Sequence, residues 1–465
     1  MRNALLALAL LVLAFEVHAR IAAGDLLGDF HAFYCAGRVI AGGGDPYRAG
    51  PLYACESQAQ PWHLYSAAGG VALPAPLPGY ALALFVPLAF LPYPLAAILW
   101  LLVSSAAGAA AAAWSARLAG SSLALAGAAF VLPIAAVCIP FGELAALSVA
   151  AFLCAALAIR RGAYAFAAAA LGVAAIEPHL ALPAFAACFL WQPRMRVPLA
   201  ICAATLAAVS LACGGAAVLG EYLARVLPAQ ALAELPHTSQ FSLAWALSAL
   251  GASGRVALSG GAVSYVVMLA AGIWAVRRAR DAALAVVLPP AFALLGGTFI
   301  HLAEMVVAIP LALILARDAR RAVRLCAETA LVLLAVPWLR AGVELPLIAA
   351  AAVVTFAIVR ELGHEPVVAL RASLLAALAA GAVAFALSAP AAAAHAAAVH
   401  LPPDLAEASW AAAIRAHDAV VSLGVWIAKA PTWAGLIALA CGGAIAAANE
   451  DRVSRIPVRD APARR

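Results

Sequence analysis

Apolar runs, many of them about 20 residues long and several shorter, rich in Ala, Leu, Val and Phe, recur along this chain. Short segments carrying Arg, Pro and Gly separate them. An α-helix rises 1.5 Å per residue, so runs of this length match the hydrocarbon thickness of a bilayer. Read as spans, they fall near residues 4–15, 79–116, 121–140, 144–159, 163–177, 178–192, 198–218, 263–276, 282–299, 302–316, 325–339, 346–359, 372–390 and 419–447. The pattern predicts an all-α polytopic membrane protein of about 13–14 helices, some of them too short to cross unless neighbours bury them. Three longer polar segments interrupt it, near 21–78, 219–262 and 390–418.

Composition agrees with that pattern. Apolar residues make up 67% of the 465, charged residues 11%, and the mean hydropathy is +1.02. A soluble domain needs about a quarter charged residues to cover its surface, so a soluble fold is excluded. Residues 1–448 form one transmembrane domain, and the charged, proline-containing segment 449–465 is expected to be a disordered cytoplasmic tail. The net charge of +6 comes from 28 basic residues, of which only Lys429 is a lysine, against 22 acidic ones. The arginines lie in short clusters between apolar runs, which excludes a nucleic-acid-binding surface and reports topology instead. All but seven fall on one side, read as cytoplasmic; the seven are Arg20, Arg38, Arg48, Arg225, Arg255, Arg340 and Arg415. In that topology nine of the ten histidines lie on the outer side, His364 being the exception. The run 4–15 ends in Val17-His18-Ala19, which is similar to a signal-peptidase site, but cleaved or not the chain reaches the outer compartment after residue 20.

Groups capable of proton chemistry therefore gather at one face. The segment Gly28 to Tyr47, GDFHAFYCAGRVIAGGGDPY, follows the first run directly. Phe30, Phe33, Tyr34 and Gly37 have helical spacing, predicting a helix along the membrane surface with Asp29 at its start, as a base or as a helix cap. Gly42 to Tyr47 reads as a turn. Cys35 and Cys55 share the first outer loop and either pair or stay free. Glu143, Glu177, His179 and His301 lie at the outer ends of spans. Their spacing matches no closed metal motif, so no metal is expected, and the alternatives are helix caps, ion pairs with Arg, or a buried His301–Glu304 pair. His237 reads as solvated, and Lys429 is expected to snorkel to an interface.

Several motifs together resemble glycosyltransferase family 87. They are the Asp29 segment with its aromatic pair, glycine turn and Pro46-Tyr47; Leu77-Pro78-Gly79-Tyr80 through Val86-Pro87-Leu88 to Leu91-Pro92-Tyr93-Pro94; and Glu177-Pro178-His179 after Leu171 to Ile176. Ser239-Gln240-Phe241-Ser242-Leu243 and Gly296 to Pro310 with His301 complete the set, over about residues 1 to 320. The resemblance implies a GT-C type fold whose first outer loop carries juxtamembrane helices. It also implies an enzyme of the plasma (inner) membrane with its active site on the extracytoplasmic face. Such an enzyme takes a hexose, typically mannose, from a polyprenyl-phosphate sugar to a glycolipid or cell-envelope glycan acceptor. Asp29 would be the general base. Asp25, Tyr34, Arg38, Tyr47, Glu143, Glu177, His179, His237 and His301 would contact substrate. Membrane lipids are partners, nucleic acid is not, and no cofactor is needed because the lipid-linked sugar supplies its own leaving group.

Two positions depart from the family pattern. Phe141-Gly142-Glu143 stands where an Asn-Gly-Gln-like element is usual, and Glu177 replaces a lysine before Pro178. The donor phosphate then falls to other outer cations, of which Arg38, Arg48, His179, Arg255 and His301 are candidates. The alternative reading is a polytopic flippase or transporter without transferase activity. That reading predicts ionisable residues along a central path rather than at one end.

Overall fold

Inside a bilayer every peptide group must find its partner within the protein, and for this composition helices are the solution. The computed structural model describes residues 2–24, 26–59, 71–277, 279, 281–342, 344–388, 400–417 and 421–454. Among the described residues there are helices and no strands, apart from isolated bridges of Arg48 with Leu405 and Gln240 with His301. The first helices are α1 (Arg2–Ala23), α2 (Gly28–Ala41), α3 (Ala49–Ala59), α4 (Tyr93–Ala119) and α5 (Leu123–Leu132). Next come α6 (Ala145–Arg160), α7 (Tyr164–Ala174), α8 (Pro178–Trp191), α9 (Arg196–Glu221), α10 (Leu227–Ala233), α11 (Leu243–Ala249) and α12 (Gly254–Val276). The last are α13 (Leu284–Ala293), α14 (Ile309–Leu315), α15 (Arg321–Leu334), α16 (Leu345–Glu361), α17 (Pro366–Ser388), α18 (Ala406–His417) and α19 (Leu423–Ser454).

Among the described residues seven helical stretches are long and apolar enough to cross a membrane unaided, and shorter apolar helices accompany them. The short ones can be short because protein surrounds them: every residue of α13 from Ala285 to Ala293 is buried. The long ones present large apolar side chains outward, as do Leu102 on α4, Val266 on α12, and Leu375 and Phe385 on α17. Small residues face inward, among them Ala126, Ala128 and Ala129 of α5. Large-outside and small-inside is the arrangement that suits lipid contact and close helix approach. The fold is thus an all-α polytopic membrane protein.

Some boundaries differ from the sequence reading. The expected span 79–116 is broken into Gly79–Leu82 and two 3₁₀ turns before α4 begins at Tyr93. Pro87, Pro92 and Pro94 account for this, since a proline donates no N–H and restrains its predecessor. The tail expected from Asn449 begins as a continuation of α19 to Ser454, and its remainder lies outside the described residues. Helix α2 is not a surface helix with one apolar face, because Phe30 to Gly37 are all buried. Lys429 does not snorkel. It is fully buried, its ammonium 3.4 Å from the Trp245 ring centroid and donating to the Gln240 carbonyl.

The polar contacts sort into two sets at opposite helix ends. One joins Arg160 to Asp281 and the Leu118 carbonyl, Ser122 to Glu361, Arg324 and His364 to Glu328, and Arg320 to Asp318. The other joins Arg20 and Arg340 to Glu16 and Glu344 around the Phe141 ring, and Arg48 and Arg225 to Glu221 and Asp404. Helix α6 alone, 16 residues, separates them by about 24 Å. The second set contains four of the seven arginines that the sequence assigned to the outer side, Arg20, Arg48, Arg225 and Arg340.

Cys35 and Cys55 form a disulfide that ties α2 to α3. Alkylating the unfolded but unreduced protein should therefore label seven cysteines, and prior reduction should raise that to all nine. Nine labels without reduction would exclude the bond.

Candidate active site

The site begins where the chain leaves α1. Leu27, buried, adopts a left-handed backbone (φ 59°) that costs about 1–2 kcal/mol for an L-residue. Its N–H donates to the Pro140 carbonyl at 2.8 Å, holding the turn that launches α2. Leu27, not Asp29, is the N-cap, and no side chain caps this helix. The capping role open to Asp29 in the sequence is thus absent, and its carboxylate is available for other work. Phe30 anchors the helix by stacking on Trp100, with ring centroids 5.3 Å apart, and the Trp100 indole donates to the Gly142 carbonyl at 3.1 Å. Gly142 (φ 80°) makes this approach possible, since a Cβ there would lie 2.7 Å from Phe30 Cβ. The turn between α5 and α6 therefore presses against the start of α2 and sets Glu143 beside Asp29, the two carboxyl groups sharing a hydrogen bond.

Two further carboxylates converge from other helix ends. Glu177 comes from the α7–α8 turn, which Tyr80 braces through its hydroxyl on the Ala175 carbonyl at 2.7 Å. Glu304 comes from the 3₁₀ segment Leu302–Ala308 and lies 3.1 Å from His179 Nε2. Glu304 thus pairs with His179 across elements, rather than forming the local pair with His301 considered from the sequence. Neither Glu143 nor Glu177 caps a helix with its side chain or pairs with an arginine among the described residues.

Beside this cluster the loop after α10 folds back on the segment before Leu302. Glu234 lies 2.9 Å from His237 Nδ1 and 3.7 Å from His301 Nε2. Ser239 Oγ bridges the two imidazoles at 3.1 and 3.0 Å, and the Trp410 indole donates to the other oxygen of Glu234. The Gln240 side chain accepts from the Ile300 N–H at 2.9 Å, and its amide nitrogen faces Glu234 at 3.3 Å and His301 Nε2 at 2.8 Å. His237 is therefore a fixed member of a network, not a solvated loop residue.

The electrostatics follow from enclosure. Burial pushes Asp29 up to about 6, reinforced by the charge of Glu234 and opposed by the Glu143 hydrogen bond and by His237. Burial also drives Glu143 well above the carboxylate range, and the charges of Asp29, Glu177 and Glu304 push the same way. Glu143 accordingly keeps its proton and donates to the Asp29 carboxylate. Glu177 rises to about 7, through burial and the charge of Glu304, against His179 and Ser148. Burial would raise Glu234 too, but His237, His301 and the Trp410 N–H outweigh it and hold the group at about 2. Burial lowers His301 below its usual range, with His237 and His179 acting the same way against Glu234 and Glu304. Asp29 and Glu143 nonetheless keep part of their surface open, as do His179 (30%) and His237 and His301 (18% each).

Residues 78–304 match the model of glycosyltransferase family 87. No curated protein and no solved structure matches the chain. The family identified from the sequence is the one found, and the protein is a membrane glycosyltransferase. The family 87 match covers Glu143, Glu177, His179, Glu234, His237, His301 and Glu304, while Asp29 lies before it.

Other positions expected to contact a family 87 substrate fall elsewhere. Tyr34 and Tyr47 are both 2% exposed, and their hydroxyls donate to the Leu91 and Leu77 carbonyls, so they brace the first loop. Arg38 is exposed, nine residues along α2 from Asp29 and hence about 14 Å away, on a 560 Å³ groove with Phe90 and Leu91. Arg48 is committed to Asp45, Glu221 and Asp404. Asp25 lies outside the described residues. Glu234, Ser239, Gln240 and Glu304 are members that the sequence reading did not assign to the site. The available signal was the Glu234-x-x-His237 spacing followed directly by Ser239-Gln240.

Proposed function

We propose that the protein transfers a hexose, mannose in the first instance, from a polyprenyl-phosphate sugar to a glycolipid or cell-envelope glycan acceptor outside the cytoplasm. Asp29 is the general base. It takes the proton of the acceptor hydroxyl as that oxygen attacks the anomeric carbon, and the carrier phosphate departs with the electrons of the broken glycosidic bond. The observation that carries this reading is Asp29 itself: a partly open carboxylate raised to about 6, hydrogen-bonded by a neutral Glu143, and free of any capping duty. A base of that strength at neutral pH is ionised yet proton-avid. The placement outside the cytoplasm is supported by the arginine distribution and by the Cys35–Cys55 bond, which belongs in an oxidising compartment.

The neutral Glu143 also bears on one departure from the family pattern. A protonated glutamic acid presents a donor and an acceptor much as glutamine does. At that position the acid acts as its amide counterpart would.

The deciding experiment incubates purified protein with radiolabelled polyprenyl-phosphate mannose and cell-envelope lipids and analyses the product. Labelled lipid or glycan is expected from wild type and not from Asp29→Asn; equal transfer by both would sink the mechanism. The pH dependence has a defined sign. Asp29 must be ionised to act, so the rate should climb through a midpoint near 6 and at pH 5 fall to about a tenth of its plateau. Stability should move the other way. A carboxyl raised in the fold favours the folded state while protonated and loses that contribution as pH rises from about 4 through 6, so the melting temperature should fall over this window.

A further inference from the structure

A phosphate approaching Asp29 meets an unfavourable field. Asp29, Glu177 and Glu304 converge there beside the neutral Glu143, and the charges that act on Asp29, Glu143 and Glu177 are those of carboxylates and histidines. A lipid-linked sugar phosphate still has to be held within reach of the base.

We propose that Glu234, His237 and His301 bind one divalent transition-metal ion, Zn²⁺ or Mn²⁺, which holds the donor phosphate beside Asp29. The inference rests on the glycosyl-phosphate reading above and adds to it the cation that reading lacks. The three potential ligand atoms lie within 4.8 Å of one another. Two ligands about 2.1 Å from a tetrahedral ion sit about 3.4 Å apart, and the Glu234–His237 and Glu234–His301 separations of 2.9 and 3.7 Å bracket that value. Two imidazoles and one carboxylate suit a transition metal better than Mg²⁺ or Ca²⁺, and three protein ligands leave positions open for substrate oxygens.

The hydrogen bonds supply an independent pointer. Because the Gln240 Oε1 accepts from the Ile300 N–H, the Gln240 NH₂ is the group facing His301 Nε2, which must therefore carry its lone pair. The same NH₂ faces Glu234 Oε2. Two acceptors thus aim at one point, occupied by a polar N–H donor, and a cation would displace that donor. The outer partners are those a metal site uses to orient its ligands: Ser239 on His301 Nδ1 and Trp410 on the far oxygen of Glu234. The two segments are locked together by the Phe241 N–H on the Ile300 carbonyl at 2.6 Å, and the Trp433 indole of α19 holds the Phe241 carbonyl at 3.0 Å. Glu234 and His237 also act electrostatically on Asp29, so an ion held by them would act on that carboxylate through its charge.

The test strips full-length protein with chelator, then titrates it with Zn²⁺ and Mn²⁺ under equilibrium dialysis with elemental analysis. Glu234→Gln and His301→Gln are run in parallel and checked for monodispersity. One ion per wild-type chain is expected, bound at least about 10-fold more weakly by each variant. No uptake by wild type, or equal uptake by wild type and folded variants, overturns the proposal. If the variants do not fold, pulsed EPR of Cu²⁺-loaded wild type decides: coupling to two imidazoles supports the site and its absence removes it. The transfer assay separates this proposal from the one beneath it. Full transfer by metal-free protein would eliminate the ion and leave the enzyme reading standing. Specific uptake of one ion without transfer from any polyprenyl-phosphate sugar would eliminate the donor reading and leave the cation site.

Discussion

Asp29→Asn should lower sugar transfer by about 10² to 10⁴-fold while making the protein more resistant to heat. The two effects have one cause. In the fold the Asp29 carboxylate is raised to about 6 chiefly by burial, so keeping it ionised at neutral pH opposes folding. Asparagine has the same shape and no charge to bury. It relieves that opposition and still accepts the Glu143 hydrogen bond, but it cannot take a proton from an acceptor hydroxyl. Glu143→Gln is the matched control. Glu143 keeps its proton in the fold, and a glutamine amide can donate to Asp29 in its stead, so the rate should stay within about 10-fold of wild type. The measurements are initial transfer rates and thermal unfolding in the same detergent. If Asp29→Asn transferred at the wild-type rate, or Glu143→Gln were the dead variant and Asp29→Asn the live one, the assignment of the base would be wrong.

Gly142→Ala should be the most damaging single-methyl change in the site. The residue has φ 80°, where an L side chain costs about 1–2 kcal/mol, and the added carbon would sit 2.7 Å from Phe30 Cβ and 2.9 Å from its backbone nitrogen. Overpacking of that kind typically costs a further 1–3 kcal/mol, giving a loss of about 2–5 kcal/mol. Relief can come only by moving the α5–α6 turn away from α2, which breaks the Trp100 bond to the Gly142 carbonyl and separates Glu143 from Asp29. A lower melting temperature and a lower transfer rate should appear together. Gly127→Ala is the comparison, because that glycine lies in α5 with nothing within 4 Å of its would-be Cβ. If both variants melted alike, the close approach of Gly142 to Phe30 would not be holding the site together.

Much of this arrangement could be read from residue order. Hydrophobic run lengths suffice for helices and rough span ends, because the bilayer imposes length and polarity rules on any segment that faces lipid. The convergence of Glu143, Glu177, His179 and His301 also follows, since each terminates a span on the same side. What a run of letters leaves open is direction. A tyrosine near a glycine turn looks the same whether its hydroxyl meets a substrate or, like Tyr34 and Tyr47, a backbone carbonyl. Arg48 resembles a phosphate ligand until Asp45, Glu221 and Asp404 are seen around it. Glu234 was hidden because a Glu-x-x-His spacing is common in solvated loops, and only the return of His301 from 64 residues downstream turns it into a cluster. Lys429 was misplaced for a related reason: the aromatic cage that accommodates its charge is assembled from Phe241 and Trp245, far away in sequence.

That cage has a consequence for how the chain can be divided. The Gln240–Phe241 corner carries its side-chain contacts to Glu234 and His301 on one side and is held from the other by Lys429 and Trp433 of α19, while Trp410 of α18 steadies Glu234. None of these three props, nor Asp29, belongs to the 78–304 segment that carries the family match. A protein trimmed to that segment would retain most of the carboxylate and histidine cluster yet have neither Asp29 nor the cluster's scaffolding. Separately produced halves would work only if α19 found its way back against residue 240, so reassembly of a chain split after residue 304 would itself report whether that corner had been rebuilt.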